Sequence, residues 1–375
     1  MLTFDQLDAL TNPVANLYQD YVDTVINDIV RRLVKLDYSS PSAAWQVQRL
    51  NQAGMLYDDI LERLTWLTGK SEPELRSIFK EAGVKAMKFD DSVYLKAGLK
   101  PLPLNLSPAM VQVLAAGLNK TMGVMRNLTM TTAITGQEAF ISAADLAYMQ
   151  ISTGAFDYNA AIRQAVKQVA QDGLPVINYA TNHQEQLDVA MRRTVLTGIN
   201  QTIGNLQIAR ANEMGANLVS VSAHIGARNK GSGPMNHESW QGKVYSLNGA
   251  TKKYPNFEET TGYGTGVGLM GWNCRHNFHA YIEGVSESSY SQAELNDYAD
   301  KMVSYNGEKM SVYEATQKQR AIEREIRKTK READALDTAK LPNGTEKMRI
   351  RKLQAKMRDF IRQTGLDRQY PREQI

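Results

Sequence analysis

One cysteine, Cys274, stands in a chain of 375 residues. No disulfide can close within it, and the composition fits a reducing compartment rather than a disulfide-stapled secreted scaffold. No stretch approaches the roughly 20 consecutive apolar residues of a membrane span. The opening residues, Met1-Leu2-Thr3-Phe4-Asp5-Gln6, carry neither a basic segment nor an apolar one, so no secretory leader is expected. With 26 glycines and 11 prolines the chain is no collagen-like fibre, and neither an internal repeat nor a low-complexity segment is visible. The 44 Lys+Arg against 40 Asp+Glu leave a net charge of only +4, which by itself points to no class of partner. Hydrophobic residues at 42% and charged residues at 22% lie near globular averages and exclude a mainly disordered chain. The length corresponds to about two to three structural units.

What is present is first of all helix. Val14, Leu17, Tyr18, Tyr21, Val22, Val25, Ile26, Ile29, Val30 and Leu33 repeat at three and four, which predicts a long amphipathic helix. Ser40-Pro41-Ser42 interrupts it. A second helix is expected over residues 43–67. Ser71-Glu72-Pro73-Glu74 has the order of a capping box and predicts the start of a third. Residues 98–108 hold Pro101, Pro103 and Pro108 and read as an extended linker. Further helices are expected over 108–134, 137–151, 159–171 and 184–214.

After Gly215 the texture changes. Residues 217–224 alternate with period two, residues 243–247 form a second strand candidate, and Asn248-Gly249 is a hairpin signal. Trp240, Tyr245, Tyr263, Trp272 and Phe278 supply large apolar area to this stretch, and all five are expected in its core. Strands are expected mainly within residues 217–284. From Ser291 charged helices return. Residues 291–375 hold 19 Lys+Arg and 14 Asp+Glu, so the whole positive excess is C-terminal. The predicted fold is mainly α with one small α+β module, long helices flanking a short-stranded domain rich in glycine and aromatics. By texture the chain divides into residues 1–100, 101–216, 217–290 and 291–375.

Four of the five histidines, His224, His237, His276 and His279, lie near the single cysteine. Cys274 and His276 are two apart and face the same way on extended backbone. With His237 or His224 they form a possible tetrahedral zinc set, although structural zinc sites usually offer two or more cysteines. The expectation is therefore no cofactor, with zinc as the alternative. A Cys274–His224 nucleophile pair is a further option, without a local mark of an oxyanion hole. Gly266-Val267-Gly268-Leu269-Met270-Gly271 matches a dinucleotide fingerprint by letter only, because no helix pattern follows. In the last helix Ile350, Leu353, Met357, Phe360 and Ile361 form an apolar stripe. Arg349, Arg351, Lys352, Lys356, Arg358 and Arg362 crowd the remainder, a candidate contact for phosphates.

The ordered set His237-Glu238-Ser239-Trp240-Gln241-Gly242-Lys243-Val244-Tyr245, Tyr254-Pro255, Gly262-Tyr263-Gly264-Thr265-Gly266 and Gly271-Trp272-Asn273-Cys274-Arg275-His276 resembles the phage minor capsid protein 2 family. That family is related to the Mu F-like head morphogenesis proteins. The resemblance implies a structural virion component rather than an enzyme, assembled in the host bacterial cytoplasm and incorporated during head formation. It also implies portal or major coat protein as partners, with packaged double-stranded DNA as a further contact. No membrane or small-molecule substrate is expected. The related domains often pair cysteines with a histidine, and the lone Cys274 departs from that. The alternative is a metal-dependent hydrolase or toxin-like module centred on Cys274 and its histidines.

Overall fold

The computed structural model describes residues 4–178 and 183–375. It is 68% helical with a few small antiparallel sheets, so the predicted mainly α class holds. The helices are α1 (Phe4–Leu33), α2 (Ser42–Lys96), α3 (Pro108–Ser152), α4 (Tyr158–Asp172), α5 (Leu187–Glu213), α6 (His237–Trp240), α7 (Phe257–Thr261), α8 (Gln292–Asp300), α9 (Val312–Thr338) and α10 (Gly344–Thr364). The strands are β1 (Pro175–Asn178), β2 (His183–Gln186), β3 (Leu218–Val221), β4 (Val244–Ser246), β5 (Phe278–Tyr281), β6 (Met302–Tyr305) and β7 (Glu308–Ser311).

Two compact units share the chain. The first comprises Met1–Val14, Glu72–Val124 and Arg192–Thr316, the second Ala15–Ser71, Met125–Met191 and Gln317–Ile375. They divide the molecule by packing, whereas the four sequence segments divide it by local texture.

Several expectations need correction. The second and third helices are one, α2, and Ser71 is no cap. Its hydroxyl donates to the Thr68 carbonyl at 3.1 Å, and Pro73 lies inside the helix. An interior proline costs about 3 kcal/mol. Leu64, Leu67, Leu75, Ile78 and Phe79 on its two sides are all buried, and each contributes about 1.5–3 kcal/mol. Burial wins. The helices expected over 108–134 and 137–151 are likewise one, α3. A Cβ at Gly136 would come within 2.7 Å of Ile60 Cδ1, so the glycine admits α2 rather than ending α3.

Strands are not confined to residues 217–284. Hairpins β1–β2 and β6–β7 lie outside that range, and α5 begins at Leu187 because β2 takes the residues before it. Asn248-Gly249 joins no hairpin: β4 pairs with β3, and Ser246 then forms a parallel bridge with Asn256. Trp272 is 48% exposed, contrary to its expected place in the core.

In the first unit a three-stranded antiparallel sheet runs β4-β3-β5, with Val219 opposite Tyr245 on one side and Ala280 on the other. Trp240, Tyr245, Phe257 and Phe278 are buried against it. Phe257 and Phe278 meet edge-on at 4.9 Å, a favoured aromatic geometry. Helices α3 and α5 approach closely through a reciprocal pair. A Cβ at Gly117 would fall 2.0 Å from Thr202 Oγ1, and one at Gly198 would fall 2.1 Å from Thr121 Oγ1.

In the second unit the predicted stripe of α1 is buried from Tyr18 to Leu33. Arg331 of α9 donates to Asp23 at 2.7 Å and to Asp188 at 2.9 Å. Arg327, one turn earlier on α9, donates to Asp188 as well, at 3.3 Å.

Candidate functional site

His237 opens α6, while Cys274 and His276 lie on the extended segment that feeds β5. All three are buried. One ligand atom from each lies within 4.8 Å of the others, and Cys274 Sγ is 3.7 Å from His276 Nδ1. His224 follows β3, and its ring lies 4.4 Å from that of His276 at a tilt of 32°. The first unit thus brings together all four residues that sequence spacing nominated. His279, the remaining histidine of the stretch, lies on β5 and meets the Phe89 ring edge-on at 5.1 Å.

The hydrogen bonds fix which nitrogen of each ring carries its proton. A carbonyl oxygen can only accept. His224 Nδ1 lies 3.0 Å from the Ile225 carbonyl and His237 Nε2 lies 2.8 Å from the Val267 carbonyl, so both nitrogens are protonated. His276 Nε2 lies 3.0 Å from Gln241 Oε1. That amide's orientation is set by the His224 backbone N–H, which donates to the same oxygen at 3.0 Å. His276 Nε2 is therefore a donor too. The lone-pair nitrogens left over are His224 Nε2, His237 Nδ1 and His276 Nδ1.

Burial keeps these rings neutral. It lowers the His237 pKa to about 4, against the opposing pull of the Val267 carbonyl. Burial also lowers His276, helped by His224, His237 and Arg228, and it lowers His224. The Cys274 thiol is pushed up to about 11 by burial. A reactive cysteine needs its thiolate favoured, and this environment does the reverse. Gln241, Val267 and Arg228 escaped the sequence reading. Arg228 donates to the Val267 and Trp272 carbonyls at 3.4 and 3.2 Å. Gln241 lies four residues after His237, a one-turn spacing that was the available signal.

The glycine loop is a packing device. A Cβ at Gly268 would meet the Gly262 carbonyl oxygen at 2.2 Å, and one at Gly271 the Gly266 carbonyl oxygen at 2.4 Å. Backbone there passes against backbone, and no long helix follows to receive a pyrophosphate.

The second nominated site is α10. Met357 and Phe360 are buried, and Ile350, Leu353 and Ile361 half-buried. The predicted apolar stripe therefore faces inward. Glu346, also buried, receives Arg163 of α4 at 2.6 Å and Lys167 at 3.0 Å. On the outward face Arg349 pairs with Glu325 of α9 at 2.9 Å, and Arg362 with Asp359 at 2.5 Å. Arg351, Lys352, Lys356 and Arg358 are exposed and form no ion pair among the described residues. Among those residues no helix is long and apolar enough to cross a membrane.

Comparison with known proteins adds three findings. The model of the phage minor capsid protein 2 family matches residues 2–362. A structural protein of Lactococcus phage LL-H is 24% identical over 345 residues, covering 88% of each chain. A structural protein of Lactococcus phage mv4 is 34% identical over 126 residues, which cover 33% of this chain and 93% of that one. No solved structure matches.

Proposed function

Because the chain belongs to the phage minor capsid protein 2 family, we propose that it is a head component that joins the portal and coat during assembly in the host cytoplasm and touches packaged double-stranded DNA through α10. The observation that carries the DNA contact is the sidedness of that helix. Its apolar stripe and Glu346 anchor it within the second unit, while Arg351, Lys352, Lys356 and Arg358 are exposed and form no ion pair among the described residues. A helix held by one face presents the rest of its surface to solvent, here with Arg351 and Arg358 on one flank and Lys352 and Lys356 on the other, a spread of positive charge suited to a phosphate backbone and indifferent to base sequence.

On this reading the chain is a structural protein and no enzyme. The competing hydrolase would need an activated thiol or a polarised water at Cys274. The thiol's burial and raised pKa argue against the first.

Deleting α10 is the wrong test, since its buried Met357 and Phe360 are part of the second unit. Charge reversal is the right one. Arg351→Glu, Lys352→Glu, Lys356→Glu and Arg358→Glu combined should leave the circular dichroism spectrum unchanged and remove most duplex binding measured by fluorescence anisotropy. Wild-type affinity should fall with salt with a log–log slope of roughly −3 to −4, about −0.9 per phosphate neutralised. Unchanged binding in the variant, or binding insensitive to salt, would place the contact elsewhere. Loss of portal or coat binding in the same variant, with DNA binding absent from the wild type, would make α10 a protein-docking element.

A further inference from the structure

We propose that His237, Cys274 and His276 form a structural zinc site. Three features of the cluster point to a metal rather than to a hydrogen-bonded trio. The first is ligand type and convergence. Two imidazoles and one thiol place their ligand atoms within 4.8 Å of one another, with Sγ and His276 Nδ1 at 3.7 Å. In a tetrahedral zinc site with bonds of about 2.0–2.3 Å, neighbouring ligand atoms lie roughly 3.3–3.8 Å apart. Small side-chain rotations cover the difference.

The second feature is the outward hydrogen bonding. Metal-bound histidines characteristically donate their other ring N–H to a carbonyl or carboxylate, which fixes the tautomer and aims the lone pair at the ion. His237 does this toward the Val267 carbonyl and His276 toward Gln241 Oε1. Gln241 is itself fixed by the His224 backbone N–H. Both rings are thus oriented by a second layer of partners, with Nδ1 left as the ligand atom in each.

The third feature is the weakness of the inward bonds. Cys274 Sγ is 3.7 Å from His276 Nδ1 and 3.9 Å from the His276 carbonyl, both long. Two lone-pair nitrogens and a thiol around one buried point leave a single weak donor among three acceptors. A cation with the thiol deprotonated satisfies all three. His224, whose ring lies against that of His276 with Nε2 as its lone-pair nitrogen, supplies the fourth ligand after a side-chain rotation. The ion would tie α6 to the lead-in of β5, adding a clamp to the His276–Gln241 hydrogen bond and the aromatic packing that already hold this part of the unit.

The test uses the full-length chain. After dialysis against metal-free buffer, elemental analysis should find about one zinc per chain. Cobalt substitution should give a thiolate-to-cobalt charge-transfer band. Zinc added to chelator-stripped protein should raise its melting temperature by more than about 4 °C. Cys274→Ala should lose the band and the zinc-dependent shift, while His279→Gln should keep both. The wild-type measurements stand whether or not a variant folds. No retained zinc, no cobalt band and no zinc-dependent shift in the wild type would overturn the proposal. So would a Cys274→Ala chain that retains zinc with an unchanged cobalt spectrum.

Discussion

Trp240 and Trp272 carry the same side chain in opposite surroundings. Trp240 is 1% exposed, and its Nε1–H donates to the Pro234 carbonyl at 3.1 Å. Trp272 is 48% exposed, its ring lying over Gly266 at the surface. Trp240→Ala should therefore destabilise by about 3–5 kcal/mol, with the lost indole leaving a cavity. Trp272→Ala should cost less than about 1 kcal/mol. Denaturant titration followed by circular dichroism measures both, and equal losses would contradict the assignment. Sequence made the aromatic supply of this stretch legible, because composition reports how much apolar area is available. It could not report which ring faces inward, since that depends on how the glycine backbone from Gly262 to Gly271 folds on itself.

A second residue-scale prediction concerns Asp90, buried on α2. Burial raises its pKa from 3.8 to about 7, with the Ala280 backbone and the Gln207 side chain opposing part of the shift. The sign follows from proton counts. Between about pH 4 and pH 7 the native state holds a proton that the unfolded state has lost, so stability falls as pH rises through that window and then levels off. At about 1.4 kcal/mol per unit the change is at most about 4 kcal/mol. Asp90→Asn, neutral at every pH, should flatten this part of the profile in denaturation measured from pH 4 to 8. An unaltered slope would show that another group carries it.

At the scale of elements, helix periodicity was legible wherever one apolar face turns inward along the helix, as in α1 and α10. It failed where a proline or a glycine lies inside a continuous helix. Pro73 and Gly136 interrupt local preference, but the packing on both sides of each is continuous, and only the tertiary structure holds that information. The hairpin rule was sound in chemistry and applied at the wrong place. Asn306 and Gly307, at φ +52° and +80°, form the tight turn between β6 and β7. Asn248-Gly249 has the same letters, yet Asn248 Nδ2 donates to Asn217 Oδ1 at 2.7 Å and no second strand follows in register.

The α3–α5 crossing yields the element-scale prediction. Thr121 Oγ1 donates to the Gly117 carbonyl at 2.9 Å, and Thr202 Oγ1 to the Gly198 carbonyl at 2.7 Å. Each hydroxyl is thus tethered to its own helix at the point where it fills the gap over the opposite glycine. A methyl at either glycine cannot be accommodated without breaking that bond or parting the helices. Gly198→Ala should destabilise by about 1–3 kcal/mol, despite alanine's better helix propensity of about 1 kcal/mol. Adding Thr121→Ala, which removes both the hydroxyl and the methyl in the way, should recover part of the loss. A stabilised Gly198→Ala chain in thermal unfolding would mean that the helices stand farther apart than described.

At the scale of the whole molecule, neither the net charge of +4 nor any single motif determines function. Position is more informative: four cations of α10 stay on the side that packing leaves outward, and His237 and His276 meet Cys274 only because α6 and the approach to β5 converge. The four metal candidates were legible from spacing and residue type. Val267, which orients the His237 ring, was not, because it acts through its backbone, and Gln241 was marked only by its one-turn spacing from His237. The central claim is that this chain is a component of the phage head. Quantitative mass spectrometry of density-purified, DNA-filled virions tests it most directly. The account predicts that the chain stays with the particles through purification, at a constant ratio to the portal. A chain abundant in the infected lysate yet absent from purified virions would contradict it.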